Sequence, residues 1–110
     1  MNTSPMCPRF EKAVELLSKR WTTFIVYKLL DGPKRFVEIE NSLSNLSGKM
    51  LSERLKELEE EGVIQRVVYP EKPVRIEYSL TTRGIALAPV FAEIQGWATE
   101  WIELDAPPKP

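Results

Sequence analysis

Cys7 is the single cysteine of this 110-residue chain, and histidine is absent. The chemistry open to the side chains is therefore narrow. Without histidine there is no imidazole acid–base catalysis, and one thiol can close neither an intramolecular disulfide nor a Cys/His metal cluster. What a lone thiol can do is react, as its thiolate, with an electrophile or an oxidant. Cys7 stands in an irregular arm just before Pro8-Arg9-Phe10, where a helix is expected to begin. Both the positive end of that helix and the Arg9 guanidinium favour a reactive anion. A small apolar filler is the plainer reading of a lone cysteine, and the residues leave both open. No Gly-rich phosphate loop and no carboxylate pair in an apolar setting is present, so no catalytic residue, metal or cofactor is expected and the chain does not read as an enzyme.

A second constellation is polar. Lys49, Ser52, Glu53 and Lys56 fall on one side of a helical pattern whose other side is Leu51, Leu55 and Leu58. Lysine and serine can contact phosphate or base edges, and a glutamate can accept a hydrogen bond from cytosine N4. Cations in the first turns and the glutamates 57, 59, 60 and 61 at the far end both oppose the helix dipole. Such a helix suits entry into a DNA groove, N-terminus first. A solvated amphipathic helix of mixed charge fits the same pattern.

The elements that position these residues follow from periodicity and punctuation. Ser47 is an N-cap candidate and Gly62 a terminator, which predicts a helix over about 48–61. Upstream, Phe10, Val14 and Leu17 mark the inner face of a first helix, broken at Ser18-Lys19-Arg20. Trp21 opens a second, ended by Asp31-Gly32-Pro33. Lys34-Arg35-Phe36 is a brief extended piece, and Phe36, Ile39 and Leu43 give a short third helix. Beyond Gly62 the period becomes two, and Ile64–Tyr69 and Val74–Leu80 flank Pro70-Glu71-Lys72-Pro73 as a hairpin. Thr81 or Thr82 caps a single last helix from about Arg83 to Ile102, with a frayed tail from Ala106. The expected class is mainly α with a small β-hairpin: one winged helix-turn-helix domain spanning residues 1–110.

Net charge is −1, which argues against a generic nucleic-acid binder, yet the charges are segregated. Cations prevail through residue 37, whereas Glu93, Glu100, Glu103 and Asp105 dominate the end. No apolar run is long enough for a membrane span, and Met1–Pro8 is not a secretory signal, so a cytoplasmic location is expected. The stripe containing Phe91, Ile94, Trp97 and Trp101 exceeds what one small domain must cover, which points to a partner surface, a second copy before a ligand. Lys72 and Arg75 at the hairpin, and Lys34 and Arg35 before the third helix, are candidates for phosphate or minor-groove contact. Arg54 flanks the polar helix face and is expected to brace the wing if it does not read DNA. An interaction module built on the acidic helix end and the last helix is a competing class.

Six segments in order carry a family resemblance. They are Met6-Cys7-Pro8, Lys19-Arg20-Trp21, Leu30 to Phe36, Ser47 to Leu58, Pro70 to Val74 and Ile76 to Thr81. The chain resembles the HxlR-type, MarR-like winged helix-turn-helix regulators, and within them the bacterial repressors that sense quinones, catechols and diamide. The resemblance implies a homodimer through the first and last helices, with Phe10, Val14, Phe91, Ile94, Trp97 and Trp101 at the interface. It implies a palindromic double-stranded operator read by Ser47, Gly48, Lys49, Ser52, Glu53 and Lys56. It further implies release of that operator when small electrophiles modify Cys7. Some relatives bridge the N-terminal cysteine to a C-terminal one; this chain has no second cysteine. Alkylation, a mixed disulfide with a small thiol, or a bridge between the Cys7 residues of two copies are the modes left. The alternative is a ligand-responsive or non-redox regulator in which Cys7 is structural.

Overall fold

Leu51, Leu55 and Leu58 meet Ile25, Val26, Leu29 and Ile39 in one buried cluster, and the chain is arranged around that contact. The computed structural model describes residues 6–104; the first five residues of the arm, Asp105 and the tail expected from Ala106 lie outside them. The order is α1 (Pro8–Leu17), α2 (Thr22–Leu29), α3 (Phe36–Ser42), α4 (Gly48–Glu60), β1 (Ile64–Tyr69), β2 (Arg75–Leu80), α5 (Thr82–Ile85) and α6 (Ala88–Trp101).

Local chemistry accounts for most boundaries. Pro8 occupies the first turn of α1, where its missing N–H costs nothing. The Ser47 hydroxyl accepts the Met50 N–H at 3.1 Å and caps α4. Gly62 ends that helix at φ +73°, a conformation a Cβ would disfavour. Between α3 and α4 the turn uses Asn45 at φ +64°, left-handed geometry that asparagine tolerates. The hairpin is antiparallel, with Ile64 opposite Leu80 at its buried base and Tyr69 opposite Arg75 at its far end. Lys34 adds an isolated bridge to Tyr78, with both N–H···O bonds made (2.9 and 2.8 Å). The brief extended piece thus lies along β2.

Four expectations need correction. The last helix is two helices: the Thr81 hydroxyl caps a short α5 that ends at Ile85, because Pro89 has no N–H to give the Ile85 carbonyl. The chain restarts helically at Ala88, with Pro89 in the first turn. Phe10 and Val14 are not an inner face: they are 58 % and 47 % exposed, and α1 has no buried residue. Only Leu16 and Leu17 pack it against the core. Phe91 points the other way, at 5 % exposure within the chain's own core, so it is unavailable as a partner surface. Trp21 precedes α2 rather than starting it, with φ +79°, its ring edge-on to Phe24 and flanked by the Arg20 guanidinium.

Candidate nucleic-acid interface

The leucine face of α4 is fixed inward, so helical geometry alone sends Lys49, Ser52, Glu53 and Lys56 outward. All four are exposed, and none forms a hydrogen bond or ion pair through its side chain with another described residue. Ser47 is exposed at the same end, its oxygen engaged as the cap. Gly48 is half-buried beside Glu40 and Phe36; a Cβ there would approach Glu40 Oε2 to 2.9 Å.

Arg54 differs from its neighbours on α4. Its Nε donates to the Arg20 carbonyl at 2.9 Å and its Nη1 to Glu57 Oε1 at 2.6 Å. It braces the junction between α1 and α2, not the wing. The other Glu57 oxygen receives Lys19 Nζ at 2.5 Å. The hydrogen bond from Lys19, with that from Arg54, holds the Glu57 carboxyl below its usual range. The acidic end of α4 that opposes its dipole is thus partly neutralised by cations from elsewhere in the chain.

The wing also departs from expectation. Arg75 stacks over the Tyr69 ring at 3.9 Å and holds Glu71 at 2.9 Å and Glu77 at 2.8 Å. Those carboxylates raise its pKa further, and the guanidinium is committed within the hairpin. It is therefore a wing brace, not the free cation the sequence suggested. Lys72 at the turn is exposed without an ion pair among the described residues. Arg66 on β1 is likewise exposed and unpaired among them; strand alternation alone would have put it on the face of the buried Ile64, so no sequence signal singles it out. Arg35 is exposed close enough to Glu71 to help lower that carboxyl, after the larger effect of Arg75. Lys34 and Arg35 thus stand beside the wing, as its pairing with β2 requires.

Away from this surface, Cys7 is exposed at the N-cap of α1, where its carbonyl accepts the Glu11 N–H at 3.0 Å. Ile94, Trp97 and Trp101 are exposed on α6 at 54 %, 60 % and 69 %. A groove of about 270 Å³ runs between α2 and α6, lined by Phe24, Tyr27, Phe91 and Ile94 with Thr23 and Gln95. No helix among the described residues is long and apolar enough to cross a membrane.

Known proteins share this arrangement. The transcriptional regulator YvaP of Bacillus subtilis is 68 % identical over 103 residues, covering 94 % of this chain and 95 % of its own. The B. subtilis transcriptional regulator YodB is 51 % identical over 98 residues, 89 % and 88 % of the two chains. The structure of reduced YodB superposes with a TM-score of 0.83 at 50 % identity, over 90 % of this chain and 97 % of that one. Quinone-bound YodB gives 0.78 at 47 % identity, over 87 % and 100 %. Residues 16–106 match the HxlR-like helix-turn-helix family over most of the chain. With its winged helix-turn-helix in place and regulators on every side of the comparison, the chain belongs to the HxlR family of transcriptional regulators.

Proposed function

We propose that this regulator is a homodimeric repressor that binds a palindromic operator through α4 and releases it when Cys7 is modified. The observation that carries the DNA reading is the divided use of α4. Arg54 and Glu57 are spent on internal contacts, whereas Lys49, Ser52, Glu53 and Lys56 are left for a partner. Ser47 and Gly48 place the helix tip for phosphate contact, and Lys34, Arg35 and Lys72 add backbone contacts around it. Two copies, paired through Phe10 and Val14 of α1 and Ile94, Trp97 and Trp101 of α6, set their α4 helices about 34–36 Å apart. Work on an operator confines the protein to the cytoplasm.

The Cys7 thiolate adds to a quinone ring carbon, an S–C bond forms and the ring takes the electron pair; the C–H proton of that carbon moves to one oxygen and water supplies a proton to the other, giving the substituted hydroquinone. No further oxidant is required. Cys7 is exposed at the start of a helix with no buried residue, and a relative of half its sequence is known in a quinone-bound form. Modification there need alter the dimer by only about 1.4 kcal/mol to weaken operator binding about tenfold.

The test is an operator gel shift with and without benzoquinone, comparing the native chain with Cys7→Ser. The native complex is expected to dissociate and the Cys7→Ser complex to persist. Equal release would refute the thiol mechanism and favour a second reading, in which an aromatic ligand enters the groove between α2 and α6.

A further inference from the structure

The acidic end of α4 remains to be explained, and the contacts that gather there point to a role. α1 has no buried residue, and besides Leu16 and Leu17 its connections to the rest of the chain are polar. Thr23 Oγ1 donates to the Leu17 carbonyl at 2.6 Å, and Lys12 Nζ lies 3.8 Å from Glu61. The junction that follows is fastened more firmly. Glu57 sits between Lys19 of that junction and Arg54 of its own helix, and Arg54 reaches back to the Arg20 carbonyl. Three contacts thus close a ring around one carboxylate, joining positions 34 and 38 residues apart in sequence. Arg54 is the least exposed member, with 17 % of its side chain accessible, against 43 % for Lys19 and 30 % for Glu57.

We propose that Glu57 is a positioning residue for operator recognition: with Arg54 it clamps α4 to the α1–α2 junction and sets the angle at which Lys49, Ser52, Glu53 and Lys56 meet the groove. None of the three clamp residues touches DNA in this arrangement, since their charges are turned on one another. An isolated exposed ion pair contributes little, but a carboxylate shared by two cations, one of them also holding a main-chain carbonyl, fixes a geometry as well as an energy. The clamp is also where a movement of α1 reaches α4, because Lys19 and Arg20 directly follow that helix. This inference rests on the reading of α4 as the groove helix.

The experiment uses the full chain and a duplex that the native protein selects from a random-sequence pool, with a scrambled duplex of equal length beside it. Binding is measured by fluorescence anisotropy across a salt series for the native chain, Lys19→Gln, Glu57→Gln, the double variant and Lys19→Arg. Thermal melting by circular dichroism checks that each variant is folded; Lys19 is exposed and its replacement leaves the core intact. The single glutamine variants are expected to weaken binding to the selected duplex about fivefold, equivalent to about 1 kcal/mol. The double variant should lose no more than Glu57→Gln alone, because that change already removes the contact Lys19 makes. Lys19→Arg should restore the affinity to within about twofold of native, and affinity for the scrambled duplex and the salt slope should not change. Two results would overturn the clamp. One is native affinity in Lys19→Gln. The other is a parallel loss on both duplexes with the salt slope flatter by about 0.9, which makes Lys19 a phosphate contact. If the native chain selects no sequence, the groove reading itself fails and the clamp with it.

Discussion

Gly84→Ala tests whether the wing is seated as described. A Cβ at this position would lie 2.2 Å from the Val63 carbonyl oxygen and 3.0 and 3.2 Å from two Leu80 side-chain atoms. Backbone cannot yield as a flexible side chain can, so α5 would have to move away from the start of β1 by about an ångström. That movement loosens the Thr81 hydroxyl, which caps at the Gly84 N–H (3.2 Å) and holds the Gly62 and Val63 carbonyls (2.6 and 3.1 Å). Overpacking costs about 1–3 kcal/mol and a weakened cap about 1 more. Together they are about 2–4 kcal/mol of a stability of about 5–15. For a domain of this size the midpoint of thermal unfolding should fall by roughly 10–20 °C. Gly96→Ala is the internal control. It lies within α6 with nothing within 4 Å of its added Cβ, so the substitution should stabilise by about 0.5–1 kcal/mol. Both variants are to be melted at the same chain concentration, because association shifts the midpoint. If Gly84→Ala melts with the native chain, or the two alanines shift the midpoint alike, the packing of α5 on Val63 is wrong.

Arg75→Gln should lower the melting midpoint, through loss of the contacts to Glu71, Glu77 and Tyr69, with the salt dependence of DNA binding unchanged. Lys72→Gln should leave stability alone and flatten the salt slope by about 0.9 per contact; the reverse pattern would return Arg75 to the DNA surface. Because Glu57 is held below its usual carboxylate range by Lys19 and then Arg54, its contribution is complete above the ordinary value of 4.5. It is lost as pH falls through the depressed folded value. Acid titration from about pH 5 to 3 should therefore lower the melting midpoint of the native chain more than that of Glu57→Gln, and parallel curves would contradict the clamp. Replacing Trp97 and Trp101 with serine should turn a dimer into a monomer in sedimentation, and an unchanged mass would exclude α6 as the partner surface.

Where the controlling interactions lie within four residues, the chain can be read by eye. The leucine face of α4, the Ser47 cap on Met50 and the left-handed Gly62 all belong to this class, because periodicity and caps are local. The same holds for the turn into the wing and for the outward placement of Lys49, Ser52, Glu53 and Lys56, which follows once the leucines are inside. Six ordered segments also sufficed to indicate the family. Sequence could not show which charges would be consumed at home. Arg75 reads as a free cation until the hairpin register brings Glu71, Glu77 and Tyr69 around it. Glu57 reads as a misplaced acid until the fold carries Lys19 to it. The direction of Phe91, the exposure of Phe10 and Val14 and the close approach of the Val63 carbonyl to Gly84 were likewise decided by what lies opposite. Charge, burial and close approach are properties of pairs distant along the chain, and only the packed structure chooses those pairs.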